Sequence, residues 1–497
     1  MIIRKPAGKG GAVPPPTEKE QQAFYDALWP AEERRPPSVR PAARRSGTGQ
    51  TAPVRPPSPA AGKAAGAPPS PAAGKTVAPV RPLPPATEQP AAPDAPAPQS
   101  FATCDELLAY AQGFLCHHAT DGGRPLGLAY GREILAQLYL ALQTDQLILL
   151  VGRSGTGKSS LARHFPEVFG FAPAEVIPVQ PDWTDRSDLL GYYNPIDRSY
   201  VATAFLDALL RDCRLAAAHP ERLYFLCLDE MNLAHVEYYF AEFLSKLQEP
   251  VPEIRLYSDT VARDIVRELR CNGFTDEEIA RPDADRLLAR LDVRAMRMEE
   301  RRYCISLCRM ADMLARYPAT VRIPRNVKFI GTLNQDETTL DLSPKVLDRS
   351  LVIRVEHAGG GTEETPDGTP AAYDRPARYQ PLDRMAASKG AAPAKDGSDG
   401  LVTRLADELG LFYSPRQEAC TFRDPRYPRW QRALGGNAAA DAFLAMAVLP
   451  RLRLDVEAYA GRRQAVASFF RPYPVCRAIV DALGQGDAFD YWDAGRP

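Results

Sequence analysis

The chain has 497 residues, more than one typical domain, and 45% of them are hydrophobic, enough to build a sizeable core. Its 48 prolines exceed the ordinary share, and most of the excess lies before residue 100. The formal net charge of −1 excludes the strongly basic whole-molecule surface that is typical of nucleic-acid-binding proteins.

Residues 1–100 are predicted to form a disordered tail. They consist mostly of Pro, Ala, Gly and Arg, a composition that buries too little apolar surface to offset the entropy of the chain. One island differs, because Thr17 and Glu20 form a capping-box pattern and aromatic residues follow up to Pro30. The island is either a helical docking peptide or a transient helix that binds nothing.

A strand, a glycine-rich loop and a helix follow one another in Asp145–Phe165. The apolar run Leu147–Val151 predicts a buried strand, and the residues after it fit G-x-x-x-x-G-K-[ST]. In this pattern backbone N–H groups surround phosphate oxygens, while Lys158 reaches the β- and γ-phosphates and Ser159 offers a hydroxyl to Mg²⁺. The predicted nucleotide-binding residues are Gly152, Arg153, Ser154, Gly155, Thr156, Gly157, Lys158, Ser159 and Ser160.

Shorter patterns predict further elements around this loop. Val176–Val179 is a β-branched run typical of a strand. Leu189–Tyr200 has the Gly, Asn and Pro of a hairpin or loop, with aromatic residues that look exposed. The helices predicted from apolar spacing lie around 107–111, 134–142, 205–210 and 238–247.

Two adjacent carboxylates follow the next predicted strand, Leu223–Leu228. A buried strand that ends in Asp229 and Glu230 suits metal-assisted phosphoryl transfer. Asp229 is predicted to hold Mg²⁺, and Glu230 to orient and polarise the attacking water. Acid pairs at strand ends also serve as helix caps, but the interval from the glycine-rich loop suits another strand of the same sheet.

The remaining core pattern predicts two more strands after a charged insertion. Residues about 255–320 indicate a helical insertion with a solvated face. Val327–Leu333, which ends in Asn334, and Leu351–Val355 indicate strands. Strands alternating with helices predict an α/β fold, a parallel five-stranded sheet flanked by helices, over residues 101–356, with a ligand at the carboxyl edge of the strands.

The last part of the chain is predicted to be a flexible insertion and a helical lid. Residues 357–400 are of low complexity, and 401–497 return to helical spacing. The nine cysteines contain no CxxC pair. The sequence shows no signal-peptide pattern and no long apolar run, so we expect a cytoplasmic protein without a membrane partner.

Three ordered segments resemble one family. GRSGTGKSS resembles the Walker A motif, CLDEMNLAHVEYYFAEFLSKLQE the Walker B region, and FIGTLNQDETTLDLSPKVLDRS the stretch from sensor 1 to the arginine finger of AAA+ ATPases. The branch resembled contains dynein-related domains and McrB, and it neighbours the MoxR branch. The resemblance covers roughly residues 101–356, with a weaker match in the lid, and it implies the P-loop AAA+ core with a small helical lid.

The resemblance implies a role for each matching residue. Lys158 and Ser159 would bind phosphate and Mg²⁺, and Asp229 and Glu230 would be the Walker B pair. Asn334 would hold the attacking water, and Arg349 would be an arginine finger that acts in the neighbouring subunit. Such proteins form homo-oligomeric rings, usually hexamers. The implied ligands are Mg²⁺ and ATP, with GTP as the alternative, because the loop reads phosphates rather than the base.

Some features depart from the family pattern. Arg153 and Ser154 stand where the family often has two prolines, a tolerable change because backbone groups bind the phosphates. A clean sensor-2 arginine is missing, and Arg471 and Arg477 are the candidates. The Pro-rich tail stands where McrB has a DNA-reading domain, so direct binding of nucleic acid is left open.

The leading hypothesis is an AAA+ NTPase whose hydrolysis drives mechanical remodelling, as the motor of a McrBC-like restriction or defence system with a separate nuclease subunit. A MoxR-type chaperone that remodels a protein client is the first alternative. An NTP-dependent scaffold whose tail recruits partners is the second. Stimulation of turnover by nucleic acid would favour the motor, and stimulation by a protein client would favour the chaperone.

Overall fold

The computed structural model describes residues 98–117, 120–121, 124–125, 127–283, 297–335, 340–356, 373, 375–388 and 398–492. The chain divides into two compact units. One comprises Met1–Thr87 and Arg270–Phe274, of which only the latter stretch is described. The other comprises Glu88–Leu269 and Thr275–Pro497 and contains the sheet and the site described below. Residues 1–97 of the tail predicted over 1–100, and most of the insertion predicted over 357–400, lie outside the described residues.

The helices fall into a core set and a C-terminal set. The core helices are α1 (Cys104–His117), α2 (Arg132–Ala141), α3 (Lys158–His164), α4 (Arg186–Leu190), α5 (Ala204–Ala218), α6 (Val236–Tyr239), α7 (Ala241–Lys246), α8 (Asp259–Cys271), α9 (Asp276–Ala280), α10 (Met298–Arg316) and α11 (Pro344–Leu347). The C-terminal helices are α12 (Ser398–Leu409), α13 (Pro415–Cys420), α14 (Tyr427–Leu434), α15 (Ala438–Phe443), α16 (Val456–Phe470) and α17 (Pro474–Leu483), with a π-helix at Leu444–Val448 after α15.

The strands form one central sheet and four small pairs. The strands are β1 (Thr120–Asp121), β2 (Arg124–Pro125), β3 (Leu147–Gly152), β4 (Glu175–Pro178), β5 (Tyr192–Asn194), β6 (Ser199–Val201), β7 (Tyr224–Asp229), β8 (Glu253–Arg255), β9 (Thr320–Arg322), β10 (Val327–Asn334), β11 (Ser350–Arg354), β12 (Arg453–Leu454) and β13 (Phe489–Asp490). The central sheet has the order β11–β3–β10–β7–β4, and every neighbouring pair in it is parallel. The prediction of a parallel five-stranded sheet flanked by helices is confirmed.

The central strands are apolar because both faces of the sheet are covered. All six residues of β3 are buried, and so are the first seven of β10. Continuous runs of Leu, Ile and Val are typical of parallel strands that helices cover on both sides. Gly331 in β10 leaves room for Met231, since a Cβ at Gly331 would lie 2.0 Å from the Met231 sulfur. The sheet is therefore a rigid support for the residues at its carboxyl edge.

Two predicted elements differ from those in the structure. The helix expected over 238–247 is two short helices, α6 and α7, because the chain bends at Phe240 (φ −103°, ψ 6°). The ring of Phe240 is buried and stacks on that of Phe243 at a centroid distance of 4.9 Å. The helical insertion expected over 255–320 is closed by strands, since β8 and β9 pair in antiparallel fashion and bring its two ends together.

The stretch expected to be a hairpin or loop is a hairpin preceded by one helical turn. α4 ends at Gly191, whose φ of 79° suits glycine, and β5 then pairs with β6. A Cβ at Gly191 would lie 1.9 Å from the carbonyl oxygen of Val201, so the close approach also requires glycine. The aromatic residues expected to be exposed there differ: Tyr192 is 53% exposed, but Tyr193 is half-buried and Tyr200 is buried, so the expectation is confirmed for Tyr192 and wrong for Tyr200.

The C-terminal helices pack on one edge of the sheet. The π-helix contacts β11, and α15 contacts α2. The rings of Phe422, Trp430 and Phe443 form the centre of this block, with Phe443 5.8 Å from Phe422 and 5.9 Å from Trp430. In the described part of the chain no single helix is long and apolar enough to cross a membrane. The pair Tyr427–Leu434 and Ala438–Arg451, which is bent by 111°, has the length and apolar composition of a membrane span only when its two parts are taken together.

Candidate active site

The loop between β3 and α3 is built around glycines that no other residue can replace easily. Gly155 and Gly157 have φ values of 82° and 83°, a region that glycine enters without steric penalty. A Cβ at Gly152 would lie 2.3 Å from the carbonyl oxygen of Val355, and one at Gly157 would lie 2.9 Å from the hydroxyl of Tyr130. Nothing lies within 4 Å of the Cβ position at Gly155, which leaves the mouth of the loop open.

Lys158 lies inside this loop, although a lysine is seldom buried. Its side chain is 5% exposed, and Nζ donates to the carbonyl oxygens of Gly152 (3.0 Å) and Arg153 (2.7 Å). The Thr156 hydroxyl also donates to the Arg153 carbonyl, at 3.0 Å. The ammonium group is thus held at the centre of the ring of backbone that the glycines shape.

Asp229 at the end of β7 joins α3 to the sheet. The Ser159 hydroxyl donates to Asp229 Oδ1 at 2.6 Å, and the Thr332 hydroxyl donates to the same oxygen at 2.6 Å. Thr332 lies on β10, which neighbours β7 in the sheet. A hydroxyl and a carboxylate oxygen in contact are the hard oxygen donors that Mg²⁺ prefers.

Glu230 follows in an unusual backbone conformation. Its φ is 55°, and its backbone N–H donates to the Thr332 hydroxyl oxygen at 2.9 Å. The Asn334 side-chain amide donates to Glu230 Oε1 at 2.8 Å. A left-handed backbone outside glycine indicates local strain that neighbouring contacts must hold in place. Here the strained turn brings the Glu230 carboxylate to Asn334.

Asn232 fixes the backbone around Asn334. Its amide donates to the Asn334 carbonyl oxygen at 2.9 Å, and its Oδ1 accepts from the Asn334 N–H at 3.3 Å. On the other side Asn334 is in register with Gly152, and the Gln335 N–H donates to the Gly152 carbonyl at 3.2 Å. The glycine-rich loop and Asn334 therefore lie on adjacent strands.

The structure brings most of the predicted site residues together at the carboxyl edge of the sheet. Lys158, Ser159, Asp229, Glu230 and Asn334 are connected by the contacts given above. The residues of the predicted nucleotide-binding set form the loop and the first turn of α3, in the order Gly152, Arg153, Ser154, Gly155, Thr156, Gly157, Lys158, Ser159 and Ser160.

Three residues of this cluster escape the sequence patterns. Thr332 lies two positions before Asn334, so the two-residue period of a strand could have indicated it. Asn232 follows the acidic pair closely and carries no separate signal. Tyr130, whose buried hydroxyl donates to the Gly157 carbonyl at 2.8 Å, comes from a segment without any motif. Burial raises the pKa of Tyr130, so it stays a neutral donor.

Arg349 lies at the opposite edge of the sheet. β11 pairs with β3 so that Ser350 is opposite Leu147, and the Arg349 carbonyl accepts from the Leu147 N–H at 3.3 Å. With a rise of about 3.3 Å per residue, the length of β3 places about 16 Å between this edge and Gly152. Arg349 is therefore separate from the loop of its own chain.

The two sensor-2 candidates lie in the C-terminal helices. Arg471 is exposed at the end of α16, and Arg477 in α17 pairs with Asp481, with Nε 3.3 Å from Oδ2. Among the described residues no group of three or more His, Cys, Asp and Glu is arranged to hold a metal ion. All nine cysteines are free thiols.

Residues 147–251 match the family described as AAA domain (dynein-related subfamily). One similar solved structure is described as a "putative ATPase" from Cytophaga hutchinsonii; it is 13% identical, the match covers 74% of this chain and 93% of that chain, and the TM-score is 0.40. No curated protein matches the sequence. The similarity to an AAA domain thus lies in residues 147–251.

Proposed function

We propose that this chain, which carries an AAA domain of the dynein-related subfamily in residues 147–251, binds and hydrolyses ATP with Mg²⁺ at the cluster of Lys158, Ser159, Asp229, Glu230 and Asn334. The hydrogen bond between Asn334 and Glu230 (2.8 Å), next to the Ser159–Asp229 contact (2.6 Å), is the observation that carries the proposal. The first contact joins the two groups proposed for hydrolysis, and the second joins the two groups proposed for Mg²⁺. The Thr332 hydroxyl links the two pairs, because it accepts from the Glu230 N–H and donates to Asp229 Oδ1.

The loop supports binding of a polyphosphate. The positive φ of Gly155 and Gly157 turns backbone N–H groups toward one point, and the open Cβ position at Gly155 leaves access from solvent. Lys158 would exchange its contacts with the Gly152 and Arg153 carbonyls for contacts with phosphate oxygens. The positive charge is already inside the loop, so binding requires only a small movement of its side chain.

The oxygens of Ser159 and Asp229 fit Mg²⁺. When bound, the ion supplies neutralisation of the charge on the phosphates. Thr332 holds Asp229 Oδ1 in place from the other side, which keeps the carboxylate directed toward α3. The ligand set is completed in such sites by water and phosphate oxygens, in keeping with the preference of Mg²⁺ for few protein ligands.

Glu230 and Asn334 support the hydrolytic step. The Glu230 carboxylate would accept a hydrogen bond from the attacking water, orienting and polarising it, and the Asn334 amide would fix the direction of that carboxylate. The two hydrogen bonds between the Asn232 side chain and the Asn334 backbone fix that backbone, which limits movement of the Asn334 side-chain amide. Asn334 ends β10, Glu230 directly follows β7 and Asn232 lies in the turn after it, so all three are anchored to the central sheet.

We further propose a ring, hexameric in the resembled branch, in which Arg349 completes the site of the neighbouring subunit. Its position at the far edge of the sheet supports this, because it cannot serve the loop of its own chain. Hydrolysis in such a ring would drive mechanical work as in McrB-like motors, with a separate nuclease subunit as the partner. The alternatives are hydrolysis of GTP instead of ATP, a MoxR-type protein client and a scaffold role. The test below distinguishes each of them from the ATP-driven motor.

The test compares wild type with Glu230→Gln. The variant should bind ATP and fail to hydrolyse it, since the uncharged amide oxygen is a far weaker acceptor and base than the carboxylate and polarises the attacking water much less. Glu237→Gln is a matched control, because this carboxylate lies on α6 beside His235. Comparing the steady-state release of phosphate from ATP with that from GTP shows which nucleotide the protein prefers.

Normal turnover by Glu230→Gln would reject the assignment. The trapped variant also serves as bait in a pull-down from the native host. A nuclease or DNA among the captured molecules, with turnover stimulated by DNA, supports the motor. A protein client that alone stimulates turnover supports the chaperone, and capture without any effect on turnover supports the scaffold.

A further inference from the structure

Tyr130 contacts the glycine-rich loop from a part of the chain that precedes the matched residues 147–251. It lies between β2 and α2, directly before Gly131, the residue that precedes α2. Its hydroxyl donates to the Gly157 carbonyl at 2.8 Å. Tyr130 is also bound to α1, because Gln112 Nε2 donates to the Tyr130 carbonyl at 3.0 Å. One residue therefore connects α1 and the start of α2 to the loop.

The side chain of Tyr130 is held in one position. It is 5% exposed, so its ring is packed inside the protein. It also fills the space beside Gly157, since a Cβ there would lie 2.9 Å from the Tyr130 hydroxyl oxygen. Burial raises the pKa of Tyr130, so the phenol stays protonated at neutral and mildly alkaline pH. The hydroxyl is therefore a permanent donor to the Gly157 carbonyl.

The Gly157 carbonyl accepts from two donors. Besides the Tyr130 hydroxyl it accepts the Leu161 N–H at 2.8 Å, the first hydrogen bond of α3. A carbonyl oxygen has two lone pairs, so both bonds can form together. Gly157 has a φ of 83°, and a glycine backbone permits many directions of the peptide group that follows it. The Tyr130 hydroxyl supplies a restraint that the glycine itself lacks.

A restraint on the Gly157 carbonyl also fixes the next N–H group. The Gly157 carbonyl and the Lys158 N–H belong to one planar trans peptide unit, in which the C=O and N–H bonds point in opposite directions. A carbonyl that Tyr130 and Leu161 hold on one side therefore directs the Lys158 N–H to the opposite side. Backbone N–H groups of such loops are ligands of phosphate oxygens. The hydroxyl thus decides the direction of one phosphate ligand.

The contact from Tyr130 is independent of the contacts that a nucleotide would replace. Lys158 Nζ donates to the Gly152 and Arg153 carbonyls, and it would exchange both for phosphate oxygens. The Thr156 hydroxyl donates to the Arg153 carbonyl at 3.0 Å and restrains that part of the loop. The hydrogen bond from Tyr130 does not involve the lysine ammonium group, so it stays in place during the exchange.

We propose that Tyr130 is a positioning residue for nucleotide binding, which orients the Lys158 N–H toward the β-phosphate through its hydrogen bond to the Gly157 carbonyl. The inference rests on the proposed function, because it requires a polyphosphate in the loop. It extends the candidate site to a residue upstream of the matched segment. Preorganisation of this kind raises affinity, because the peptide group does not have to be ordered during binding.

The first test measures nucleotide affinity of Tyr130→Phe by isothermal titration calorimetry, in the Glu230→Gln background that should not hydrolyse ATP. The substitution keeps the ring and removes the hydroxyl. Loss of one hydrogen bond that orients a phosphate ligand should raise the Kd of ATP about 3- to 10-fold. The Kd of ADP should rise by the same factor, because the β-phosphate is present in both nucleotides.

Tyr257→Phe is the matched control. Tyr257 is 7% exposed, and its hydroxyl also donates to a backbone carbonyl, that of Tyr317, at 2.7 Å. This bond lies in the insertion between β8 and β9. Both variants lose one buried hydrogen bond, so their melting temperatures should fall by similar amounts. Only Tyr130→Phe should bind nucleotide more weakly.

Steady-state kinetics with Glu230 intact separates positioning from a part in the chemical step. The Lys158 N–H would contact the β-phosphate both before and during hydrolysis. Tyr130→Phe should therefore raise KM about 3- to 10-fold and keep kcat within about 2-fold of wild type. A lower kcat at an unchanged KM would overturn the assignment, because it would place the effect in the chemical step.

The affinities give two further ways to overturn the assignment. One is wild-type affinity for ATP and ADP in Tyr130→Phe, and the other is an equal loss of affinity in Tyr257→Phe. If wild type binds and hydrolyses ATP and Lys158→Ala does not bind it, the proposed function stands whatever Tyr130 does. If wild type itself binds no ATP, both the proposed function and this assignment are rejected.

Discussion

At the scale of single residues, Asp229 Oδ1 is the atom on which the candidate site converges. It accepts from Ser159 of α3 and from Thr332 of β10, both at 2.6 Å. One oxygen thus links α3, the end of β7 and β10, the strand that carries Asn334. A change at either donor should therefore affect the position of the other through Asp229.

Lys158→Ala should abolish detectable binding of ATP. Lys158 is the one side chain of the loop whose ammonium group lies among the loop carbonyls, so its removal takes away the charge that neutralises the β- and γ-phosphates. Isothermal titration calorimetry measures the affinity directly. Lys246→Ala, which breaks the exposed pair with Glu249 (2.9 Å), should bind like wild type. Equal affinity in wild type and Lys158→Ala would contradict the assignment.

Thr332→Val should lower kcat about 10-fold, equivalent to about 1.4 kcal/mol, and leave ATP affinity nearly unchanged. The substitution keeps the shape and removes the hydroxyl that holds both Asp229 and the Glu230 N–H. Steady-state kinetics gives kcat, and binding is measured in the Glu230→Gln background. Thr332→Ser keeps the hydroxyl and should retain most of the activity. A Thr332→Val enzyme with wild-type kcat would show that the hydroxyl does not position the pair.

At the scale of elements, the sequence predicts the five central strands because each is an apolar run with a polar end. It fails where tertiary packing decides. The bend at Phe240 follows from the stacking of Phe240 on Phe243, and the β8–β9 pair joins segments more than sixty residues apart, as Ile254 opposite Val321 shows. No local pattern contains either contact.

The same limit applies to the site. Walker-type patterns indicate Lys158, Ser159, Asp229 and Glu230, since those residues lie at fixed spacings in the chain. Tyr130 and Asn232 act through backbone groups of other residues, and only the folded arrangement shows which carbonyl each one meets.

The start of β10 offers a prediction on pH dependence. Lys328 is buried, and its Nζ donates to the Thr144 carbonyl at 2.8 Å and lies 3.7 Å from Asp145 Oδ1. Burial lowers the pKa of Lys328, Asp145 raises it, and Arg426 and Arg325 lower it. The net pKa is below its ordinary value, so the unfolded chain binds more protons than the folded one in the alkaline range.

Stability of wild type relative to Lys328→Met should therefore rise as the pH rises from neutral toward about 10.4. Urea unfolding of both proteins at pH 7 and pH 9 measures the difference in the free energy of unfolding. Lys345→Met, at an exposed position on α11, is the control and should show a smaller change. A difference that is constant with pH, or that moves the other way, would contradict the direction of the shift.

At the scale of the whole molecule, the length of the sheet separates Arg349 from the candidate site of its own chain. Its carboxyl edge carries the glycine-rich loop, Asp229, Glu230 and Asn334, and its amino edge carries Arg349. Under the proposed function each chain binds the nucleotide at one edge of its sheet and contributes Arg349 to the site of a neighbouring chain from the other edge. Such a molecule is complete only in an assembly of copies.

Arg349→Ala should bind ATP about normally and lose roughly 10³- to 10⁵-fold in turnover. Mixing it with Glu230→Gln should restore part of the turnover, since each variant supplies what the other lacks. The activity should vanish when the mixture is diluted until the ring dissociates, which sedimentation velocity can follow. Full turnover by Arg349→Ala on its own would show that the side chain is a surface cation beside Asp348.

The left-handed backbone at Glu230 bears on how variants of this protein should be screened. A residue other than glycine at φ 55° costs about 1 kcal/mol in strain, comparable with what its hydrogen bond to Asn334 contributes. Glu230→Gly would remove the hydrogen bond to Asn334 and also relieve the backbone strain. The melting temperature of this variant should therefore lie close to that of wild type, while its ATP turnover disappears. A library selected for heat resistance alone would keep this dead variant, and thermal tolerance is therefore a poor proxy for fitness at this position.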